Sequence, residues 1–331
     1  MTPPHLRPFA GRRVAITGGL GFIGSTLAIR LVEAGADVTL IDSLVPDYGG
    51  NIHNVAPIAD RVRINISDVR DPFSFAHLIR DQDILFNLAG QTSHMDSMSD
   101  PRTDLDINCA AQLSILEACR KYNPLARLIF ASTRQIYGRP RYLPVDEQHP
   151  LHPVDVNGIN KLAGEHYHLL YHQVHDIRTC VLRLTNVIGP RMRIRDARQT
   201  FVGIWIRHLI EGKPIDVWGG AQRRDLLDVE DCVDALLLAA ASDRAIGQVY
   251  NVGSPDPISL ASLAALMISV NGSGEAITRE YPADRKRIDI GDFCTDARKI
   301  GAELGWRPAT PLRDTLARCF AYYRERISSY V

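Results

Sequence analysis

Thr17-Gly18-Gly19-Leu20-Gly21-Phe22-Ile23-Gly24 is the stretch on which the fold turns. It follows a short apolar run, Arg13-Val14-Ala15-Ile16, and opens a segment of helical spacing in which Leu27, Leu31 and Val32 share a face. Gly35 closes that segment, and Asp37-Val38-Thr39-Leu40-Ile41-Asp42 reads as a second buried strand. Strand, helix and strand in such short compass make the βαβ unit of a parallel sheet. The glycines are spaced GxxGxxG, and each has its own task. Gly18 lets the chain turn tightly, Gly21 lets backbone approach a pyrophosphate, and Gly24 lets helix and strand pack closely. Phe22 and Ile23 belong to the same turn, where a phosphate meets the positive end of the helix dipole.

Working outward, further apolar runs stand at 62–66, 84–88, 127–130 and 179–184, with stretches of helical character between them, notably 104–122 and 160–175. Such alternation predicts an α/β fold, a doubly wound parallel sheet of the Rossmann kind with a smaller C-terminal substrate-binding lobe. Residues 190–222 are rich in Arg, Gly and Pro around one helical candidate at 201–211, and 228–241 reads as a helix before a strand at Val249-Tyr250-Asn251-Val252. The expected division is a cofactor-binding domain over 1–185, re-entered at about 225–253, and a substrate lobe from 186–224 and 254–331.

The bulk numbers exclude several classes. With 45% hydrophobic and 23% charged residues, the chain of 331 residues is an ordinary soluble one without the composition of disorder. Its 38 basic and 38 acidic residues cancel, so no net charge recruits nucleic acid or an acidic membrane. No apolar run reaches the length of a membrane span. Residues 1–13 lack the apolar centre of a secretory signal and are expected to form a disordered lead-in. The six cysteines show no CxxC pair and sit mostly in apolar stretches, which predicts buried thiols, no metal and a cytoplasmic protein.

Asp42 closes the second strand eighteen residues beyond Gly24. A carboxylate there accepts the adenosine ribose hydroxyls and repels a 2′-phosphate, so the expected cofactor is NAD rather than NADP. Asp68 with Val69 follows the third strand, where an Asp can meet the adenine amino group, and Leu88, Ala89 and Gly90 end the fourth with residues that let the cofactor lie flat. His94 follows them at the edge where open α/β sheets bind ligands. The cluster His166, His168, His172 and His175 reads as surface or dimer packing on a helix.

In this order the sequence resembles the extended short-chain dehydrogenases/reductases that act on nucleotide sugars. The matching pieces include Thr17–Gly24, Asp68-Val69, Ala131-Ser132-Thr133, Ile136-Tyr137-Gly138, Lys161 with Glu165, Arg183-Leu184-Thr185-Asn186, and Gln222-Arg223-Arg224-Asp225. Residues 89–118 look most like CDP-paratose 2-epimerases; UDP-sugar 4-epimerases and dTDP-glucose 4,6-dehydratases are somewhat less similar. The resemblance implies a homodimer through 104–122 and 160–175, and an epimerase that oxidises a sugar carbon transiently and reduces it again. It also implies catalysis by the Tyr and Lys of a YxxxK motif, helped by Ser or Thr. Thr133 and Lys161 match, but Asn157 stands where the tyrosine belongs, and an amide cannot ionise.

Three possibilities follow. Lys161, His94 or a bound water serves as base; the chain binds NAD and a sugar nucleotide without turnover; or a tyrosine was replaced in an otherwise normal enzyme, against which Gly158 and Asn160 speak. A decarboxylase or dehydratase with a non-tyrosine base is a further alternative. Dehydratases of the family place Asp and Glu after the Ser/Thr, where this chain has Arg134 and Gln135. Arg134 is a candidate for an anionic group of the substrate. By the resemblance, Asn186, Arg224 and Arg287 hold the diphosphate, while Thr200 and Trp218 lie where relatives meet the nucleobase.

Overall fold

β1 (Arg13–Thr17) is buried along its whole length after the first residue, as a strand covered on both faces must be. The computed structural model describes residues 4–331. β2 (Asp37–Asp42) and β3 (Val62–Ile66) follow β1, then α2 (Pro72–Ile79) crosses to β4 (Ile84–Asn87), with α1 (Phe22–Glu33) lying between the first two strands in sequence. β5 (Arg127–Thr133), β6 (Arg178–Leu184), β7 (Asn186–Ile188), β8 (Ile215–Trp218), β9 (Arg223–Arg224), β10 (Leu226–Asp228) and β11 (Val249–Val252) complete the part that matters to the site. The main sheet has seven parallel strands in the order β11-β6-β5-β4-β1-β2-β3. The chain winds one way from β1 to β3 and the other way from β4 to β6. Where the direction reverses, between β1 and β4, a crevice opens at the strands' C-terminal ends.

Leu27 and Leu31 of α1 pack into the main core with Val14, Ile16 and Leu40. The stretch 104–122 is not one uniform helix. α3 (His94–Ser99) and α4 (Pro101–Leu105) lead into a π-helical turn, Asp106–Ala110, and then α5 (Ala111–Tyr122). α6 (Val156–His175) starts four residues before the expected position because Asp155 caps it, its Oδ1 accepting the Gly158 N–H at 2.7 Å. A second core joins α7 (Phe201–Ile210) to the helices Leu260–Asn271 and Leu312–Arg326 through Val202, Ile206, Leu263, Met267 and Phe320.

Three expectations are corrected. Residues 1–3 lie outside the described residues, but the lead-in after them is ordered: Pro4–Phe9 is a 3-10 helix whose Leu6 and Phe9 are buried in the main core. His168 is not a surface residue. It is fully buried, stacks on Phe130 with ring centres 4.2 Å apart, and burial pushes its imidazole down to about 4. All six cysteines are free, yet Cys109 and Cys294 are only half-buried. Among the described residues no group of His, Cys, Asp or Glu is arranged to hold a metal, and no helix is long and apolar enough to cross a membrane.

Candidate functional site

The crevice holds a cavity of about 250 Å³ whose walls include Gly18, Gly21, Phe22, Ile23, Gly24, Asp42, Asp68, Val69, Leu88, Ala89 and Gly90. Its floor is the β1–α1 turn. Gly18 takes a positive φ of 67°, and a Cβ on Gly24 would lie 2.2 Å from the Gly18 carbonyl oxygen. Gly21 caps α1 without a side chain, and no acidic residue stands in its first turn, so the amides there face the cavity with the dipole's positive end. This is the arrangement a dinucleotide pyrophosphate needs. Asp42 accepts the Leu44 N–H at 2.9 Å on Oδ1 and the Leu20 N–H at 3.0 Å on Oδ2, and burial raises its carboxyl above the ordinary range. Each oxygen keeps a lone pair for a ribose hydroxyl. Asp68 is gripped by Arg70, whose Nη2 donates at 2.5 Å, and this pairing holds its carboxyl low. An adenine amino group at Asp68 therefore shares that carboxylate with a guanidinium.

The other end of the cavity is built mainly by β5 and α6. Thr133, Arg134, Asn157, Lys161 and His94 all line it. Thr133 Oγ1 accepts the Gln135 N–H at 3.2 Å, which leaves the hydroxyl proton to donate. Lys161 is only 6% exposed; its Nζ donates to the Ala131 carbonyl at 3.2 Å and stands 5.0 Å from the Phe130 ring centre. Burial pushes the ammonium down to about 8, against the pull of Asp104. Asn157 is turned to a different use. Its Nδ2 donates to the Gln91 carbonyl at 2.8 Å and to Asp104 Oδ2 at 3.0 Å. The fully buried Asp104 also accepts from Asn108 Nδ2 at 3.0 Å and Asn160 Nδ2 at 2.8 Å.

Sequence reasoning missed this amide-ringed carboxylate. The spacing Asp104 to Asn108, one helical turn apart, was its only trace. It also missed Asp155 and the contact Gln135 makes with it. His94 Nδ1 lies 2.9 Å from Asp155 Oδ2, close enough for an ion pair though off the line of a hydrogen bond. Burial raises the Asp155 carboxyl, but His94, the Gly158 N–H and the Gln135 amide together bring it below the ordinary value.

A second cavity of about 540 Å³ adjoins the first and shares with it His94, Arg134, Gln135, Asn186, Gln199 and Thr200. Trp218 and Arg224 line only this second space. Thr200 caps α7, and Trp218 meets Tyr281 edge-on with ring centres 6.3 Å apart. Arg224 is largely committed within the protein, donating to Asp289 Oδ1 at 2.6 Å and to the Gly291 carbonyl at 2.5 Å. Arg287 lines neither cavity; it is exposed, and its carbonyl accepts from Arg139 Nη2 at 3.1 Å. The side chain of Arg285 lies outside the described residues.

Residues 14–253 match the NAD dependent epimerase/dehydratase family. The chain belongs to that family. A Methanocaldococcus jannaschii protein provisionally named a UDP-glucose 4-epimerase is 32% identical to it over 313 residues, 92% of this chain and 96% of that one. The dTDP-glucose 4,6-dehydratase of Streptomyces niveus is 29% identical over 323 residues, 95% and 93% of the two chains. The crystal structure of UDP-glucose 4-epimerase with UDP-glucose from Thermotoga maritima shares 27% identity and a TM-score of 0.88, covering 95% of this chain and 99% of that one. The cofactor of this family member is NAD, and the uncapped α1 terminus, the Gly18–Gly24 contact and the free lone pairs of Asp42 fit it.

Proposed function

We propose that the protein is a nucleotide-sugar epimerase in which Lys161 takes the proton of the sugar hydroxyl. The observation that carries this reading is the contrast on one face of α6: Lys161 is buried and near neutrality, while the Asn157 amide is spent on Asp104 and Gln91. At pH 7 a group with its pKa near 8 is neutral in about a tenth of molecules, enough for a general base matched to its task. Bound NAD supplies the acceptor of the hydride and then its donor. Thr133 hydrogen-bonds the reacting oxygen, and Asp104 holds Asn157 and Asn160 so that the wall around Lys161 stays fixed. A rotated keto-sugar then regains its proton from Lys161. Arg134 and Gln135 offer no carboxylate to remove water across two carbons, which favours epimerisation over dehydration.

In this reading residues 1–185 with the return at 225–253 bind the cofactor, and 186–224 with 254–331 bind the nucleotide sugar. The protein works as a homodimer. A second reading, a binder that does not turn over, is favoured by the absence of any phenol at position 157. A panel of UDP-, CDP-, GDP- and dTDP-sugars, followed by product mass spectrometry and NADH absorbance, separates the two. Epimer or keto product supports the enzyme, whereas binding with no product from any member supports the silent form.

A further inference from the structure

Arg134 stands directly after Thr133 and lines both cavities at the point where they meet. Its Nη2 donates to Asn186 Oδ1 at 3.0 Å, while its Nη1 is buried with no hydrogen-bond partner among the described residues. Asn186 Nδ2, on the same pair, is likewise buried and unpartnered. Two donors on adjoining side chains are thus desolvated and unused, a state that native proteins seldom leave without a purpose. The guanidinium lies over the Phe293 ring, 5.2 Å from its centre, which fixes the plane of the fork. No carboxylate among the described residues pairs with it. Asp225 is taken by the Thr185 and Thr295 hydroxyls, and Asp289 by Arg224. Burial and the neighbouring charge of Arg224 push Arg134 down to about 10, as expected of a cation short of an anion.

We infer that Arg134 and Asn186 receive a carboxylate carried on the sugar, so that the substrate class is a nucleotide-linked uronic acid. The inference rests on the sugar-nucleotide reading above and narrows it. A planar carboxylate accepts an N–H on each oxygen, and Arg134 Nη1 and Asn186 Nδ2 are the two buried donors left without a partner here. The position beside Thr133 puts this anion on the sugar. Arg224 lines only the second cavity and serves the diphosphate side. The guanidinium holds the carboxylate, and the carboxylate fixes which face of the ring meets Lys161.

Calorimetric titration of the NAD-loaded protein tests this with UDP-glucuronate, UDP-glucose and UDP, and with the corresponding dTDP compounds. The expected result is that the uronate binds at least about tenfold more tightly than the neutral hexose on whichever nucleotide is accepted, the scale of one charge-assisted hydrogen bond. Arg134→Met and Asn186→Ala should bring that ratio close to one, with Arg134→Lys between, and thermal melting establishes that each variant is folded. Equal affinity for uronate and hexose in the unaltered protein overturns the inference while leaving the sugar-nucleotide reading intact. Equal weakening of UDP, UDP-glucose and UDP-glucuronate by Arg134→Met also overturns it and assigns Arg134 to the diphosphate. If no sugar nucleotide binds, the broader reading falls, and this one with it.

Discussion

An amide at position 157 changes what the neighbouring lysine must do. A tyrosine there would ionise beside a permanently charged ammonium; Asn157 only donates, and in the proposed mechanism Lys161 supplies the basic lone pair itself. Lys161→Met should therefore reduce turnover by about 10²–10⁴-fold, the usual worth of general acid–base help, whereas Asn157→Ala should lose much less. Steady-state kinetics on the best sugar nucleotide decides; activity surviving Lys161→Met would sink the lysine base and turn attention to His94. The pH profile carries the same signature, since a base must be neutral to act. The kcat/KM should rise with pH and level off above about 8. The linkage has a definite sign as well: the folded lysine titrates below its unfolded value, so the unfolded chain binds more protons between the two. This group's contribution to stability accordingly rises with pH from about 8 upward. Asn157→Tyr should allow measurable NADH formation on a sugar nucleotide, and an inert natural protein that becomes active on this change would favour the silent binder. At Asp42, fluorescence titration should show NADH binding more tightly than NADPH, because a 2′-phosphate meets a carboxylate; tighter NADPH binding would remove Asp42 from the ribose site.

Two elements carry the proposed cofactor contacts and the proposed dimer, the β1–α1 turn and α6. A methyl group on Gly24 would meet backbone, not a yielding side chain, at 2.2 Å, so Gly24→Ala must open the turn. The expected cost is about 1–3 kcal/mol in urea denaturation, with loss of NADH binding; an unchanged midpoint would show that the turn relaxes freely. On α6, Ile159, Leu170 and Val174 are about half exposed or more, and their spacing puts them on a common face. Leu170→Arg should therefore turn the dimer into a monomer in sedimentation velocity, and a monomeric natural protein would contradict the pairing. These elements also show what could be read beforehand. β1, β2 and β11 begin and end where apolar runs meet Gly, Asp or a polar turn, since a strand buried on both faces writes itself in the sequence, and β3, partly exposed at the sheet edge, is marked by its apolar run alone. The π-helical turn at Asp106–Ala110 escaped, and beside it Asp104 is held by Asn157 and Asn160, distant in sequence; the early start of α6 escaped although its cap, Asp155 accepting the Gly158 N–H, is local. The glycine turn was legible because strand, turn and helix lie in one short segment. The pairing of Arg224 with Asp289, and the absence of Arg287 from the walls of both cavities, show only in the tertiary structure.

At the scale of the whole molecule, two cavities meet along a wall that includes His94, Arg134, Asn186 and Thr200, and the proposed nucleotide-sugar substrate would span it to reach the cofactor. The far end of that path is Arg224. Its side chain is 8% exposed and joins β9 to the turn at Asp289 and Gly291, so it is at once a wall of the second cavity and a tie within the lobe. Arg224→Ala should then have two effects. Removing one partner of a largely buried pair leaves Asp289 uncompensated, which should cost about 1–3 kcal/mol of stability and lower the melting temperature of the free protein. Removing a cation beside the proposed diphosphate position should weaken UDP and UDP-glucose alike, by about 1.5–3 kcal/mol, because the loss falls on the phosphates common to both. NADH titration serves as the control, since Arg224 does not line the first cavity. Calorimetry and thermal melting of the same variant keep the two effects apart. A lower melting temperature with unchanged UDP affinity would make Arg224 a structural tie alone, and the diphosphate would then have to be held from elsewhere on the second cavity's wall.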